Sequence, residues 1–86
     1  MIRVEKEDGD TFRVTIEEGG STSHRVTLSD DYHRKLTGGN ISKEELVKKS
    51  FEFLLEREPK ESILGSFDLP LIGRYFPEYE RTIARG

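Results

Sequence analysis

The residues best suited to proton transfer or metal ligation near neutral pH are His24 and His33, which stand nine positions apart. Metal ligands need a spacing that brings them together, as HExxH does on one helix face, and no such motif accompanies either histidine. His24 shares the even parity of Val26 and Leu28, which puts it at the fringe of an apolar face close to a turn. Asp30, Asp31 and His33 invite an acid–base relay, but adjacent helical residues point in different directions. They read instead as two first-turn acids, favoured there by the helix dipole, followed by a surface imidazole. Without cysteine there is no thiolate nucleophile, thiolate metal site or disulfide framework. The glycines form neither GxGxxG nor GxxxxGK[ST], so no phosphate cradle is encoded, and no serine sits in a nucleophile elbow. The expectation is a protein with no catalytic residue, metal ligand or cofactor site, and not an enzyme.

One constellation could meet a charged partner. Arg3, Arg13 and Arg25 share odd parity with Thr11, Thr15 and Thr27, which gathers them on the outer face of any sheet these strands form. Guanidinium groups among hydroxyls suit phosphate or an acidic surface, so Arg3, Arg13, Arg25 and Thr27 are the candidate binding residues. Glu5 and Glu17 occupy the same face, however, and cross-strand ion pairs are its ordinary use. The odd strand positions carry no aromatic on which a base could stack. A net charge of −3 and a pI near 5.4 also disfavour a dedicated nucleic-acid binder, whose affinity rests on neutralising phosphates.

The elements that must position these groups are clearer. Charged residues make up 36% of the 86-residue chain and hydrophobic ones 33%, a balance that would suggest disorder if the apolar residues were not strictly periodic. Ile2, Val4, Phe12, Val14, Ile16, Val26 and Leu28 all fall at even positions. Asp8-Gly9 and Gly19-Gly20-Ser21 mark the turns between three strands, predicting an antiparallel meander with one dry face. Ser29 can cap a short helix over Asp30 to Thr37 that Gly38-Gly39 ends, with Tyr32 and Leu36 inward.

The strongest helix runs from Ser42 to Arg57. Ser42 and Glu45 form a capping box, Ile41 can staple onto Leu46, and Pro59 stops the run. Its apolar residues cover an arc of roughly 200°, twice the width of a helix lying on one surface, so two neighbours must cover it. One is the sheet. The other is the tail, where Ile72, Tyr75, Phe76, Tyr79 and Ile83 recur at helical spacing and are assigned to the interior. A helical turn is expected over Glu61 to Leu64, Asp68 is placed as the cap of the next helix, and Pro77 as a kink or a new first turn.

The order Arg25-Val26-Thr27-Leu28-Ser29, then Asp30 to Leu36, then the long helix, resembles that of ribbon-helix-helix repressors and antitoxins. The resemblance implies that Arg25 and Thr27 face DNA bases and that amides near Ser42 and Lys43 touch phosphate. The chain departs from that pattern in its short first helix, its acidity, and an N-terminal hairpin placed where the family pairs the ribbon with a second subunit. More of the chain, through Phe51-Glu52-Phe53-Leu54-Leu55-Glu56-Arg57-Glu58-Pro59, Ser62-Ile63-Leu64, Phe67-Asp68-Leu69 and Tyr75-Phe76-Pro77-Glu78-Tyr79, is similar to a family of short prokaryotic proteins to which no activity is attached.

Together these readings predict a single α+β domain over residues 1–86: a three-stranded antiparallel meander, a short helix, a long central helix and a C-terminal helical segment, all packed on one face of the sheet. The function expected is that of a small cytoplasmic interaction or regulatory module. Its partner would be another protein or a second copy of the chain, with a nucleic-acid regulator as the alternative. No run is long and apolar enough to span a membrane, and none resembles a leader, so no membrane partner is expected.

Overall fold

A computed structural model of the chain describes residues 1–84 and shows the predicted α+β arrangement with one added strand. Strands β1 (Ile2–Asp8), β2 (Thr11–Glu17) and β3 (Ser21–Thr27) form the antiparallel meander. Pairings such as Val4 with Val14 and Phe12 with Val26 place the even residues on one face. Phe12, Val14, Ile16, Val26 and Leu28 are completely buried there. The second turn needs its glycines, since Gly19 and Gly20 have φ of 63° and 125°. The first turn does not use Gly9 in this way. Gly9 is absent from the positive-φ positions, and the register of β1 shifts between Lys6 and Asp8, leaving Glu7 as an extra residue in the strand.

Helix α1 (Asp30–Thr37) begins where the Ser29 side chain accepts a hydrogen bond from the Tyr32 amide and ends on left-handed Gly38. Helix α2 (Lys43–Leu55) starts in the same way, with Ser42 Oγ accepting from the Glu45 amide. It ends before the boundary set by Pro59, because Arg57 folds back to donate to the Phe53 carbonyl at 3.0 Å and lays its guanidinium 3.6 Å from the Phe53 ring centre. Leu46, Val47, Ser50, Phe51, Phe53 and Leu54 are all buried, as the wide apolar arc requires.

After a 3₁₀ turn at Lys60–Ser62, the chain makes a strand the sequence reading omits, β4 (Ser66–Asp68), paired in parallel with β3. Asp68 therefore belongs to this strand and does not cap a helix; its carboxylate accepts a hydrogen bond from Thr27. Pro70 precedes α3 (Leu71–Tyr75), and Pro77 separates it from α4 (Tyr79–Ala84). The break corrects the interior assignment of the tail. Tyr79 is fully buried and Phe76 partly so, but Tyr75 is 64% exposed. Pro77 places Tyr79 on a separate helix, and Tyr75 ends the short α3 outside the core although it stands three positions after buried Ile72.

Candidate functional site

The three arginines do share the outer face of the sheet, and each already has a carboxylate. Arg13 stands directly opposite Arg25 across β2 and β3, a like-charged pair that repels unless something lies between. Glu7 does, placing Oε2 2.9 Å from Arg13 Nη2 and Oε1 2.9 Å from Arg25 Nε. Arg3 faces Glu17 at 3.6 Å. Glu7 is the partner the sequence reading missed, because it belongs to the register shift beside the turn. Thr27 is brought to the same region, with its hydroxyl donated to Asp68 across the β3–β4 ladder.

The histidines serve the fold at separate places. His24 is only 4% exposed, with its ring 5.5 Å from that of Phe51. A carbonyl only accepts, so His24 Nδ1 donates to the Leu64 carbonyl at 2.8 Å, and Nε2 is hydrogen-bonded to the Thr22 hydroxyl at 2.9 Å. His33 Nε2 donates to the Ile41 carbonyl at 2.6 Å and ties down the loop between α1 and α2. Asp30 turns toward Lys43, which also holds Asp10 at 2.9 Å, so the acids and His33 do not converge. Among the described residues no cluster of His, Cys, Asp or Glu is arranged to hold a metal ion. None of their buried side-chain polar atoms lacks a hydrogen-bond partner.

One surface feature without an evident structural use is a groove of about 440 Å³ between the end of α2, the 3₁₀ turn, β4 and α3. Leu54, Ile63 and Ile72 form its buried base, while Leu64, 48% exposed, and Tyr75 stand at the surface. Large apolar side chains exposed together around a concavity mark binding surfaces more often than single exposed ones do. The Leu64 backbone is held in place by His24, so one wall is anchored to the sheet. Glu58 is the only charged residue of the lining, and it makes no ion pair among the described residues.

The groove also adjoins an open sheet edge. Arg25 donates to the Gly65 carbonyl and the Leu69 amide donates to Thr27, so the odd residues of this segment point their backbone groups at β3. Ser66 and Asp68 consequently point theirs away, and both residues are exposed. No family model, curated protein or solved structure matches the chain. Sequence periodicity could not find the groove, because it depends on Tyr75 standing at the exposed end of a five-residue helix and on a strand of only three residues.

Proposed function

We propose that the protein is a non-catalytic interaction module whose working surface is the groove bounded by Leu64, Phe67, Leu71 and Tyr75, and that its partner is a segment of another protein. The observation that carries this reading is the exposure of Leu64 and Tyr75 beside a concave apolar wall. Its other chemical groups support a structural use. His24 and His33 are engaged with backbone carbonyls, and the Ser50 hydroxyl donates to the Leu46 carbonyl inside the core.

The reading is tested by replacing Tyr75 with a photoreactive phenylalanine analogue and irradiating cells that express the full chain. A discrete protein adduct should form, and the additional substitution Leu64→Lys should abolish it. The same analogue at Arg13 should give no such adduct. An absence of adducts from position 75, or a nucleic-acid adduct from position 13 alone, would move the function to the arginine face.

A further inference from the structure

The groove and the sheet edge beside it can be satisfied by one ligand. Resting on the interaction-module reading above, we infer that the partner segment binds in extended form, adding to β4 as a fifth strand with alternate apolar side chains in the groove and a lysine or arginine directed at Glu58.

Three independent features converge on this occupant. The first is backbone chemistry: the N–H and C=O groups of Ser66 and Asp68 face away from β3 and take no backbone partner among the described residues. A strand laid along β4 pairs with them, whereas a helix in the same place leaves them to solvent. The second is geometry. Phe67, the middle residue of β4, pairs in register with buried Val26 and packs 6.0 Å from the Phe51 ring, so its side chain lies on the inner layer and also lines the groove. An added strand projects every second side chain onto that same layer, which is where the groove opens. The third is charge. Glu58 is a lone carboxylate on an otherwise uncharged lining, so a cationic residue on the ligand complements it and an acidic one is repelled.

The same features select against the other sheet edge and against a second copy of β4. Strand β1 carries Arg3, Glu5, Lys6 and Glu7 and a register shift, the devices that keep an edge from pairing. A second β4, with sequence Ser66-Phe67-Asp68, offers no cation for Glu58 and adds another carboxylate.

The experiment uses the whole chain as target and short random peptides displayed on phage as the probe. The double variant Leu64→Lys/Tyr75→Glu, altered only at exposed positions, serves as the counter-target after circular dichroism confirms its fold. The enriched peptides should alternate apolar and polar residues and carry a lysine or arginine. A synthetic consensus peptide should bind about tenfold more weakly to the double variant and lose affinity with Glu58→Gln as well. On binding, the Ser66 and Asp68 amides should gain protection from hydrogen exchange. Peptides with apolar residues at i, i+3 and i+4 that leave those amides unprotected would overturn strand addition while keeping the groove as an interaction surface. Enrichment of no peptide would overturn both readings. Self-association of the wild-type chain, lost in the double variant, would assign the groove to a second copy and overturn the inference.

Discussion

The Tyr79 hydroxyl donates a hydrogen bond to Ser50 Oγ at 2.6 Å, with both residues completely buried. The direction follows from Ser50 spending its own proton on the Leu46 carbonyl at 2.8 Å. Tyr79 belongs to α4 and Ser50 to the middle of α2, so this bond fastens the tail to the central helix, alongside the edge-on contact of the Phe53 and Tyr79 rings at 5.2 Å. Ser50→Ala strands a buried phenol hydroxyl and should cost about 1–3 kcal/mol, whereas Tyr79→Phe removes the donor and should cost nearer ~1 kcal/mol. The double variant should lose less than the sum of the two. Urea unfolding of all four proteins checks this; strict additivity would show that the two groups are not coupled.

Burial pushes the Tyr79 hydroxyl up to about 12, from an ordinary value of 10.0. An unfolded chain releases this proton first as pH rises, so the stabilising contribution is complete below pH ~10 and is lost through the folded value. The shift corresponds to a loss on the order of 2–3 kcal/mol across that window. Tyr79→Phe should flatten this part of the alkaline limb in unfolding curves taken at successive pH values. Lys43, raised mainly by its hydrogen bonds to Asp30 and Asp10, and Tyr32, raised by burial and by its bond to Glu80, add to the same limb. An unchanged slope in Tyr79→Phe would show that this hydroxyl is not held neutral by the core.

Much of this fold was legible because it rests on local rules. Alternation places Phe12, Val14, Ile16 and Val26 inside, and the caps at Ser29 and Ser42 set both helix starts within a residue. What escaped depends on contacts between residues distant in sequence. Strand β4 is three residues long and forms only because β3 offers an open edge on that side, and its pairing spans about forty positions. Periodicity does not register so short a strand. Tyr75 shares helical spacing with buried Ile72, but α3 is only five residues long and leaves its last side chain outside the core, while Pro77 puts Tyr79 on a separate helix. Glu7 has the odd parity of the arginines, but the register shift that sets it between Arg13 and Arg25 does not show in the alternation. The candidate arginines and Thr27 were located correctly on the sheet, but which carboxylates hold the arginines was a tertiary matter.

Glu7 sets the electrostatic character of the outer face. By position that face carries Arg3, Arg13 and Arg25 among Glu5, Glu7 and Glu17, and Asp68 joins them through Thr27, so acids outnumber the arginines there. Glu7→Gln leaves Arg13 and Arg25 opposed with no charge between them and should lower stability by about 0.5–1 kcal/mol. It should also create weak binding to a single-stranded oligonucleotide at low salt that fades as salt is added. The wild-type protein should show no shift of the Arg3, Arg13 or Arg25 amides in the same nuclear magnetic resonance titration. A steeply salt-dependent shift in the wild type would restore nucleic acid as the partner of this face.

Lys43 joins the tip of the first hairpin to the starts of both α1 and α2 through Asp10 and Asp30, and its side chain is only 16% exposed. The hydrogen bond from Lys43 is the main reason the Asp30 carboxyl lies below its usual range. A depressed carboxyl stabilises the fold above its unfolded value of 3.8 and loses that contribution as pH falls through the folded value. Lys43→Met should therefore flatten the acid limb of stability below pH ~4, and make the remaining stability less sensitive to salt near neutrality. Equal acid limbs in the two proteins would place the acid-sensitive contact elsewhere.

The central helix needs cover on two sides, and the segment beyond Pro59 supplies one of them. Ile63, Leu69, Ile72 and Tyr79 are all buried, and the Phe53 ring rests between those of Phe76 and Tyr79. Burying each of these four side chains is worth roughly 1.5–3 kcal/mol, which sums to on the order of 8 kcal/mol. Small domains have only about 5–15 kcal/mol of net stability in total. A chain ending at Pro59 also loses β4, uncovering the second edge of β3 together with the face of Phe51 and Phe53. It should be unfolded or aggregated, with collapsed amide dispersion in its nuclear magnetic resonance spectrum. Supplying residues 60–86 as a separate peptide should recover part of the dispersion, because the missing cover is apolar contact and needs no covalent link. A truncated chain that stays monomeric and well dispersed would mean that the sheet alone covers α2, and the tail would then be an appendage to the core.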